Sequence, residues 1–426
     1  MSAEKVVPTR PSTSSGQRFI GLDVHKHYFI AAGVDRDLNQ VLPPQRVPLA
    51  QLDHWTQKHL SSQDAVALEV TTNAFQLYDD LLPLAGSVTL VHPPHVALIT
   101  RARVMTDKIA ARTLARLHAA GLLPPVWVPP QEVRDLRALL SQRSKMVRLQ
   151  TQAKNRLHAV LHRHHLPPPE GDPFAAGRCA WWLDLPVTPL ERARIQCDLE
   201  TLAFAAAQID RLEETLAQLA ARDDRVPLLI QLPGINLVGA MTILAAIGDI
   251  ARFPRAEKLV GYAGLGVCVH DSGLTHRTGR ITKAGRRDLR FIMVEAAQTA
   301  ANSHPHWQAE LARLEPRLGR NKAIVAIARK LLVAVRHVLT KGCVDHYADP
   351  ERLARKFLQF AYVLGKENRP GGQMAAEYVR DQLDRLDLGH DLVAVPRGKR
   401  PVPLPLSKKL LLEVPLKVAI PEPVEV

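Results

Sequence analysis

Arg18-Phe-Ile-Gly-Leu-Asp-Val-His25 is an apolar run with a carboxylate, Asp23, set inside it. The stretch reads as a buried strand, where a carboxylate is costly unless it is paired, hydrogen-bonded or bound to a cation. After Lys26-His27, the apolar run Tyr28 to Val34 reads as its hairpin partner. Further on, the pattern predicts a short strand near Val47, a helix over 50–60 and a strand over 65–70. That strand, Ala65-Val-Ala-Leu-Glu-Val70, again carries a carboxylate, Glu69. A helix over 75–84, a strand over 87–91, a strong helix over 106–120 and a last strand at Val126-Trp-Val128 complete the region. A hairpin followed by βαβ units predicts a mixed α/β sheet. Asp23 and Glu69 on neighbouring strands can meet at one sheet edge, and Asp107 can join them from the start of its helix. Three carboxylates there suit a hard cation, Mg²⁺ or Mn²⁺. Taken alone, Asp107 reads first as an acid favoured by the helix dipole.

The 426 residues are enough for two or three domains with real cores. Lys plus Arg number 56 against 42 Asp plus Glu, a formal charge of +14. This excludes an acidic disordered protein and points to a polyanionic partner, most often nucleic acid. No apolar run is long enough for a membrane span, and 1–17 reads as a disordered tail without a signal-peptide core. Four scattered cysteines match neither a zinc knuckle nor a disulfide scaffold, so a reducing cytoplasm is expected.

The α/β region is expected over 18–130. Over 131–222 two apolar stripes, one from Leu136 to Leu161 and one from Ile195 to Leu216, predict two long helices. They fit an antiparallel coiled-coil arm or a plain helical bundle equally. The first helix is basic and includes Arg143, Lys145, Arg148 and Lys154, which we assign to nucleic-acid backbone contact over the alternative of a solvated face. His158, His162, His164 and His165 lack a Cys or carboxylate partner, and read as a polar surface before a metal site.

Residues 223–342 are expected to form an α-rich domain. Its turn Leu232-Pro-Gly-Ile-Asn236 resembles a helix-hairpin-helix element, with Gly234 at the phosphate-gripping position; an ordinary helix connection is the other reading. Asn236 is a candidate for a left-handed conformation. The stretch Asp271-Ser-Gly to Arg287 crowds Arg277, Arg280, Lys283, Arg286 and Arg287 around glycines. Such a loop binds phosphate, and Ser272 within it is a candidate nucleophile if a base or metal activates it; otherwise it only donates a hydrogen bond. Residues 343–426 read as a partly disordered extension with helices over 351–363 and 374–386 and an extended tail from Val393.

These pieces, in this order, resemble the IS110 family of insertion-sequence transposases, the DEDD transposases or bridge-RNA-guided serine recombinases. The resemblance rests on Ile20-Gly-Leu-Asp-Val-His-Lys26, Leu68-Glu-Val-Thr-Thr72, Val91-His-Pro-Pro-His-Val96 and Thr106-Asp-Lys-Ile-Ala-Ala-Arg-Thr-Leu-Ala115. In the second half it rests on Leu232-Pro-Gly-Ile235, Tyr262-Ala-Gly-Leu265, Asp271-Ser-Gly273, Thr282-Lys-Ala-Gly285 and Ala328-Arg-Lys-Leu331. It covers about 18–342.

The resemblance implies an N-terminal RNase H-like (RuvC-like) domain, a coiled-coil arm and a C-terminal domain with a catalytic serine. Asp23, Glu69 and Asp107 match the first three acids and Ser272 the serine. It implies a phosphoserine intermediate, an active site completed by the acids of another subunit of a dimer or tetramer, and a structured RNA that pairs with donor and target DNA. A bacterial, nucleoid-associated setting is implied as well. One position departs: the fourth acid, three residues after the third, is Ala110. That leaves open whether metal binding is weakened, rescued by another group or lost. A catalytically weakened nucleic-acid-binding relative and a RuvC-like junction nuclease remain as alternative readings.

Overall fold

The computed structural model describes residues 17–94, 96, 106–272, 275–398 and 400–413, the side chains of 269–278 and 411–413 excepted. The chain divides into two compact units, Met1–Pro130 and Gln131–Val426.

In the first unit, β1 (Phe19–Val24) turns through His25 to Tyr28 into β2 (Tyr28–Val34), and β3 (Gln40–Pro48) follows antiparallel to β2. After α1 (Leu52–His59), β4 (Ala65–Glu69) returns parallel to β1; after α2 (Ala74–Leu81), β5 (Ser87–Val91) lies parallel to β4. The order β3-β2-β1-β4-β5 is the mixed sheet expected from the sequence.

Side chains alternate across the pleat and so give the sheet two different faces. One face, with Ile20, Leu22, Phe29 and Leu68, packs on Trp55, Leu77 and Leu81 of α1 and α2. The other face receives α3 (Asp107–Ala119), capped by Thr106, whose hydroxyl accepts from the Ile109 N–H at 3.4 Å.

Two expectations are corrected here. The third strand is nine residues long, and Pro43 and Pro44 are tolerated because β3 is a sheet edge. Val126–Val128 is not a strand: Pro125 just before it forms an isolated bridge with Val91, and the Val126 N–H donates to the Leu90 carbonyl at 2.7 Å. Prolines at 124, 125, 129 and 130 remove the donors that a ladder needs.

The second unit begins with α4 (Gln131–Arg163), followed by the short α5 (Cys179–Leu183) and α6 (Pro189–Ala220). Arg143 pairs with Glu213 at 2.8 Å, Arg156 with Asp198 at 2.7 Å, and Arg163 with Glu191. Early residues of α4 meet late residues of α6, so the two helices run antiparallel.

The core is built by α7 (Arg225–Ile230), α8 (Leu237–Ile247), α9 (Ala256–Tyr262), α10 (Arg287–Ser303), α11 (Pro305–Leu318) and α12 (Arg320–Lys341). A hairpin of β6 (Val267–Ser272) and β7 (Thr275–Ile281) precedes α10. The α8 helix is apolar all round and buried along nearly its whole length.

Beyond 343, α13 (Pro350–Leu364) and α14 (Ala375–Arg385) add Phe357, Leu364, Val379 and Leu383 to the same core. The stretch after Val393 differs from the expected extended tail. It forms the small β8 (Ala394–Val395) and β9 (Val402–Pro403) hairpin and α15 (Lys408–Glu413), and buries Val395. Its anchor is the buried Arg380, which donates to the carbonyls of Gly389 at 2.8 Å and Pro405 at 2.9 Å, and to that of Leu392. A guanidinium with several donors satisfies backbone acceptors that have no helix or ladder of their own.

No described helix is long and apolar enough to cross a membrane.

Candidate metal centre and basic surface

Asp23 sits near the carboxyl end of β1 and Glu69 at the carboxyl end of β4, its parallel neighbour. Parallel strands put their carboxyl ends on the same edge, so the two acids become neighbours without any long loop. Asp107 reaches this edge because α3 lies unusually close to β1. A Cβ on Gly21 would stand 2.1 Å from the Ala111 carbonyl oxygen, so only glycine permits this approach. Gly21 and Asp23 follow the two-residue period of β1 on its α3 face, and His25, just past the strand end, continues that spacing.

The ligand atoms of Asp23, His25 and Asp107 all lie within 4.8 Å of one another. His25 Nε2 is 3.4 Å from Asp23 Oδ2 and 3.3 Å from Asp107 Oδ2. It is shielded from solvent and faces both carboxylates at ion-pair distance. Tyr28 donates its hydroxyl to Asp107 Oδ2 at 3.0 Å, stacks on His25 at 4.6 Å between ring centroids and carries the Arg46 guanidinium 3.9 Å above its ring. The His25 backbone N–H donates to the Tyr28 carbonyl at 2.9 Å, and Asn73, just past β4, donates to the His25 backbone carbonyl at 3.3 Å.

Burial pushes the Asp23 carboxyl above its ordinary value; the His25 imidazole opposes that shift and the Asp107 charge adds to it. Burial raises the Glu69 carboxyl too, with a further push from the charge of Asp23. Acids held close in a half-buried edge, with an imidazole nitrogen turned to two of them, form a donor set that fits a divalent cation. Of the three acids expected there, Asp23 and Asp107 are in the tight cluster, while Glu69 stands beside Asp23. His25 was not among the site residues expected from the sequence. Its signal was the spacing Asp23-Val-His25, which in a strand puts positions 23 and 25 on one face.

Ser272 closes β6 and pairs with Thr275 across the hairpin. Its side chain and that of Arg277 lie outside the described residues. Arg280 and Lys283 are exposed. Arg286 is tied to Asp288 and Arg143 to Glu213, whereas Arg290 folds back on the carbonyls of Ala263 at 3.1 Å and Lys283 at 3.2 Å.

Between α4, α8 and α10 runs a groove of about 780 Å³ whose walls include Arg143, Arg148, Arg286 and Arg287. Arg148 and Arg287 are exposed and have no hydrogen bond or ion pair among the described residues. Phe291, on the groove wall, is 64% exposed. The structure thus joins two basic segments that are more than a hundred residues apart in sequence. Lys145 is exposed too, and the Lys154 ammonium lies 5.0 Å from the centre of the Phe174 ring. Among the described residues the histidines of 158–165 form no cluster of three potential ligands.

In the 232–236 turn, Gly234 takes φ +80°, and a Cβ there would stand 2.0 Å from the Ala296 carbonyl oxygen. Close packing on α10 therefore accounts for this glycine. Asn236 is extended, not left-handed; it caps α8 by accepting from the Gly239 N–H at 2.8 Å. The turn carbonyls converge on one cation from the C-terminal extension. Lys356 Nζ donates to Ile230, Leu232 and Ile235 at 2.7, 2.8 and 2.9 Å, and burial brings its ammonium down to about 8.

Two family profiles match the chain. One, described as "Transposase" and specific to IS110-type DEDD proteins, covers residues 20–166, and one described as "Transposase IS116/IS110/IS902 family" covers 226–312. The transposase for insertion sequence element IS1111A of Coxiella burnetii is 24% identical over 337 residues, spanning 76% of this chain and 90% of that protein. The pilin gene-inverting protein of Moraxella bovis is 26% identical over 328 residues, 74% of this chain and 93% of its own. A probable family 20 transposase of Pseudomonas aeruginosa is 27% identical over 334 residues, 73% and 93% respectively.

Proposed function

This chain belongs to the IS110 family of insertion-sequence transposases, and from that premise we propose that it cuts and rejoins DNA through a covalent bond to Ser272, with Asp23, Glu69 and Asp107 forming the metal centre. The enzyme acts on DNA, and its N-terminal unit is the RNase H-like domain of the DEDD type. The observation that carries the catalytic reading is the convergence of Asp23, His25 and Asp107 within 4.8 Å, with Glu69 beside them, at the carboxyl edge of the sheet.

In the proposed step the Ser272 oxygen bonds to the scissile phosphorus and the P–O bond to the leaving deoxyribose oxygen breaks. The serine proton goes to a neighbouring base and the leaving oxygen takes one up. Attack by a second DNA hydroxyl reverses the step and frees the serine. Asp23, Glu69 and Asp107 would hold Mg²⁺ or Mn²⁺, and a divalent cation there neutralises charge that builds on the phosphate. Arg280 and Lys283, beside the serine hairpin, would bind the flanking phosphates.

The same reading assigns 18–130 to the acidic domain, 131–222 to a coiled-coil arm, 223–342 to the serine domain and 343–426 to the extension. It also takes the acids and the serine of one centre from different subunits of a dimer or tetramer. An element-encoded RNA would supply sequence recognition, and the Arg-walled groove, with exposed Phe291 for a base to stack on, suits its backbone.

Trapping with DNA carrying the element's ends tests the chemistry. Wild-type protein is expected to form a denaturation-resistant protein–DNA adduct that Ser272→Ala lacks. Equal trapping by both would remove Ser272 from the mechanism. A specific residue, Ala110, favours a second reading, a nucleic-acid-binding relative with weakened catalysis; DNA cleavage that arises only in Ala110→Asp would support it.

A further inference from the structure

The helix that carries Asp107 offers no second carboxylate one turn on, because Ala110 occupies that position. The facing strand supplies a different donor. His25 is the residue just past the end of β1, two beyond Asp23, and its Nε2 points between the two carboxylates at 3.4 and 3.3 Å. That nitrogen is shielded from water, and its only described partners are the two carboxylates themselves, both at ion-pair distance. Two carboxylate oxygens and one imidazole nitrogen turned toward one point, within 4.8 Å of one another, are a donor set that a divalent cation can occupy.

The ring does not reach this place by chance of a loose rotamer. Tyr28 stacks on the ring, and the His25 backbone is held on both sides, its N–H donating to the Tyr28 carbonyl and its carbonyl accepting from Asn73. One phenol, Tyr28, thereby orients both the imidazole and Asp107. Such outer contacts are what fix a metal-binding imidazole and its neighbouring carboxylate.

We propose that His25 is a nitrogen ligand of the divalent cation at this edge, standing in for the carboxylate missing at Ala110, and that the site therefore prefers Mn²⁺ over Mg²⁺. The inference rests on the metal-centre reading above. Replacing a carboxylate by a neutral imidazole removes one negative charge from the set and with it part of the attraction for Mg²⁺, a cation that takes oxygen ligands. A borderline transition-metal ion keeps the nitrogen bond.

The test is Mn²⁺ binding to the full chain, followed by electron paramagnetic resonance, with electron-spin-echo modulation reporting any directly bound ¹⁴N. Wild-type protein is expected to show that coupling. His25→Ala and His25→Gln should lose it and bind Mn²⁺ about ten- to a hundredfold more weakly while keeping the wild-type circular dichroism. His25→Ala combined with Ala110→Asp should recover binding and lose most of the preference for Mn²⁺ over Mg²⁺.

Mn²⁺ bound without nitrogen coupling would overturn the proposal, and so would unchanged affinity in His25→Ala. Tighter binding in His25→Ala would overturn it in another way, by making His25 an imidazolium that excludes the cation. Asp23→Asn separates the failures. If it abolishes Mn²⁺ binding while the nitrogen coupling is absent, the acidic centre stands and only His25 falls. If Mn²⁺ binding ignores Asp23→Asn, the metal-centre reading falls as well.

Discussion

Tyr28 is the side chain on which the metal edge is assembled. Its hydroxyl holds Asp107, its ring faces that of His25, and Arg46 covers its other side. Tyr28→Phe removes one hydrogen bond to a carboxylate and leaves the ring in place. Both partners are partly exposed, so solvent screens the loss and the fold is little affected. The expected result is Mn²⁺ binding weakened about tenfold, measured by titration, with the melting temperature nearly unchanged. None of this is legible in the residue run alone. Asp23 was, because a carboxylate in an apolar strand is conspicuous. His25 was hidden, because a histidine beside a turn has many ordinary reasons to be there.

At the scale of elements, the site depends on how closely α3 lies against β1. Gly21 opposes the backbone of α3 at Ala111 and Ala115, and Leu114 packs beside it. Gly21→Val must move the helix or the strand, since backbone atoms cannot yield as a flexible side chain does. Overpacking of this kind costs about 1–3 kcal/mol. It should also displace Asp107 from Asp23, so cleavage is expected to fall far more than stability; denaturant unfolding beside a cleavage assay measures both. The last turn of the same helix carries His118, edge-on to Phe19 and 3.4 Å from the Thr89 hydroxyl. Burial brings its imidazole down to about 4. Below about 6.5 the unfolded chain takes up a proton that the folded state refuses, so stability falls as pH drops from about 6.5 to about 4. The loss is at most about 3 kcal/mol. His118→Leu should flatten that part of the stability curve, and an unchanged slope would show that His118 titrates normally. Hydrophobic periodicity shows that a helix covers the sheet; it does not show that the contact is made through a glycine.

For the molecule as a whole, the charge of +14 is a property of the sequence, but where it acts is not. Several basic residues that look equivalent in the sequence are used internally: Arg137 on the Ala245 and Ala246 carbonyls, Arg143 on Glu213, Arg290 on its own loop, Arg380 and Lys356 on buried carbonyls. Arg148 and Arg287 remain exposed on the walls of one groove. Arg148→Ala and Arg287→Ala should each weaken nucleic-acid binding and reduce the slope of log affinity against log salt by about 0.7–0.9, the release of one counterion. Arg290→Ala should instead loosen the hairpin loop and lower the melting temperature, with a smaller change in the salt slope.

The mixed sheet, most of its strands and helices, two carboxylates near its edge and the family were readable from residue order, because periodicity and motif spacing are local properties; the β6–β7 hairpin, read as a loop, and the absence of a strand at 126–128 were not. The tertiary structure decided the partners. It put His25 into the acidic cluster, tied the extension to the 232–236 turn through Lys356, and sorted exposed arginines from those held in ion pairs. Those outcomes depend on which backbones approach within hydrogen-bond distance, and that distance is set by packing among residues far apart in the chain.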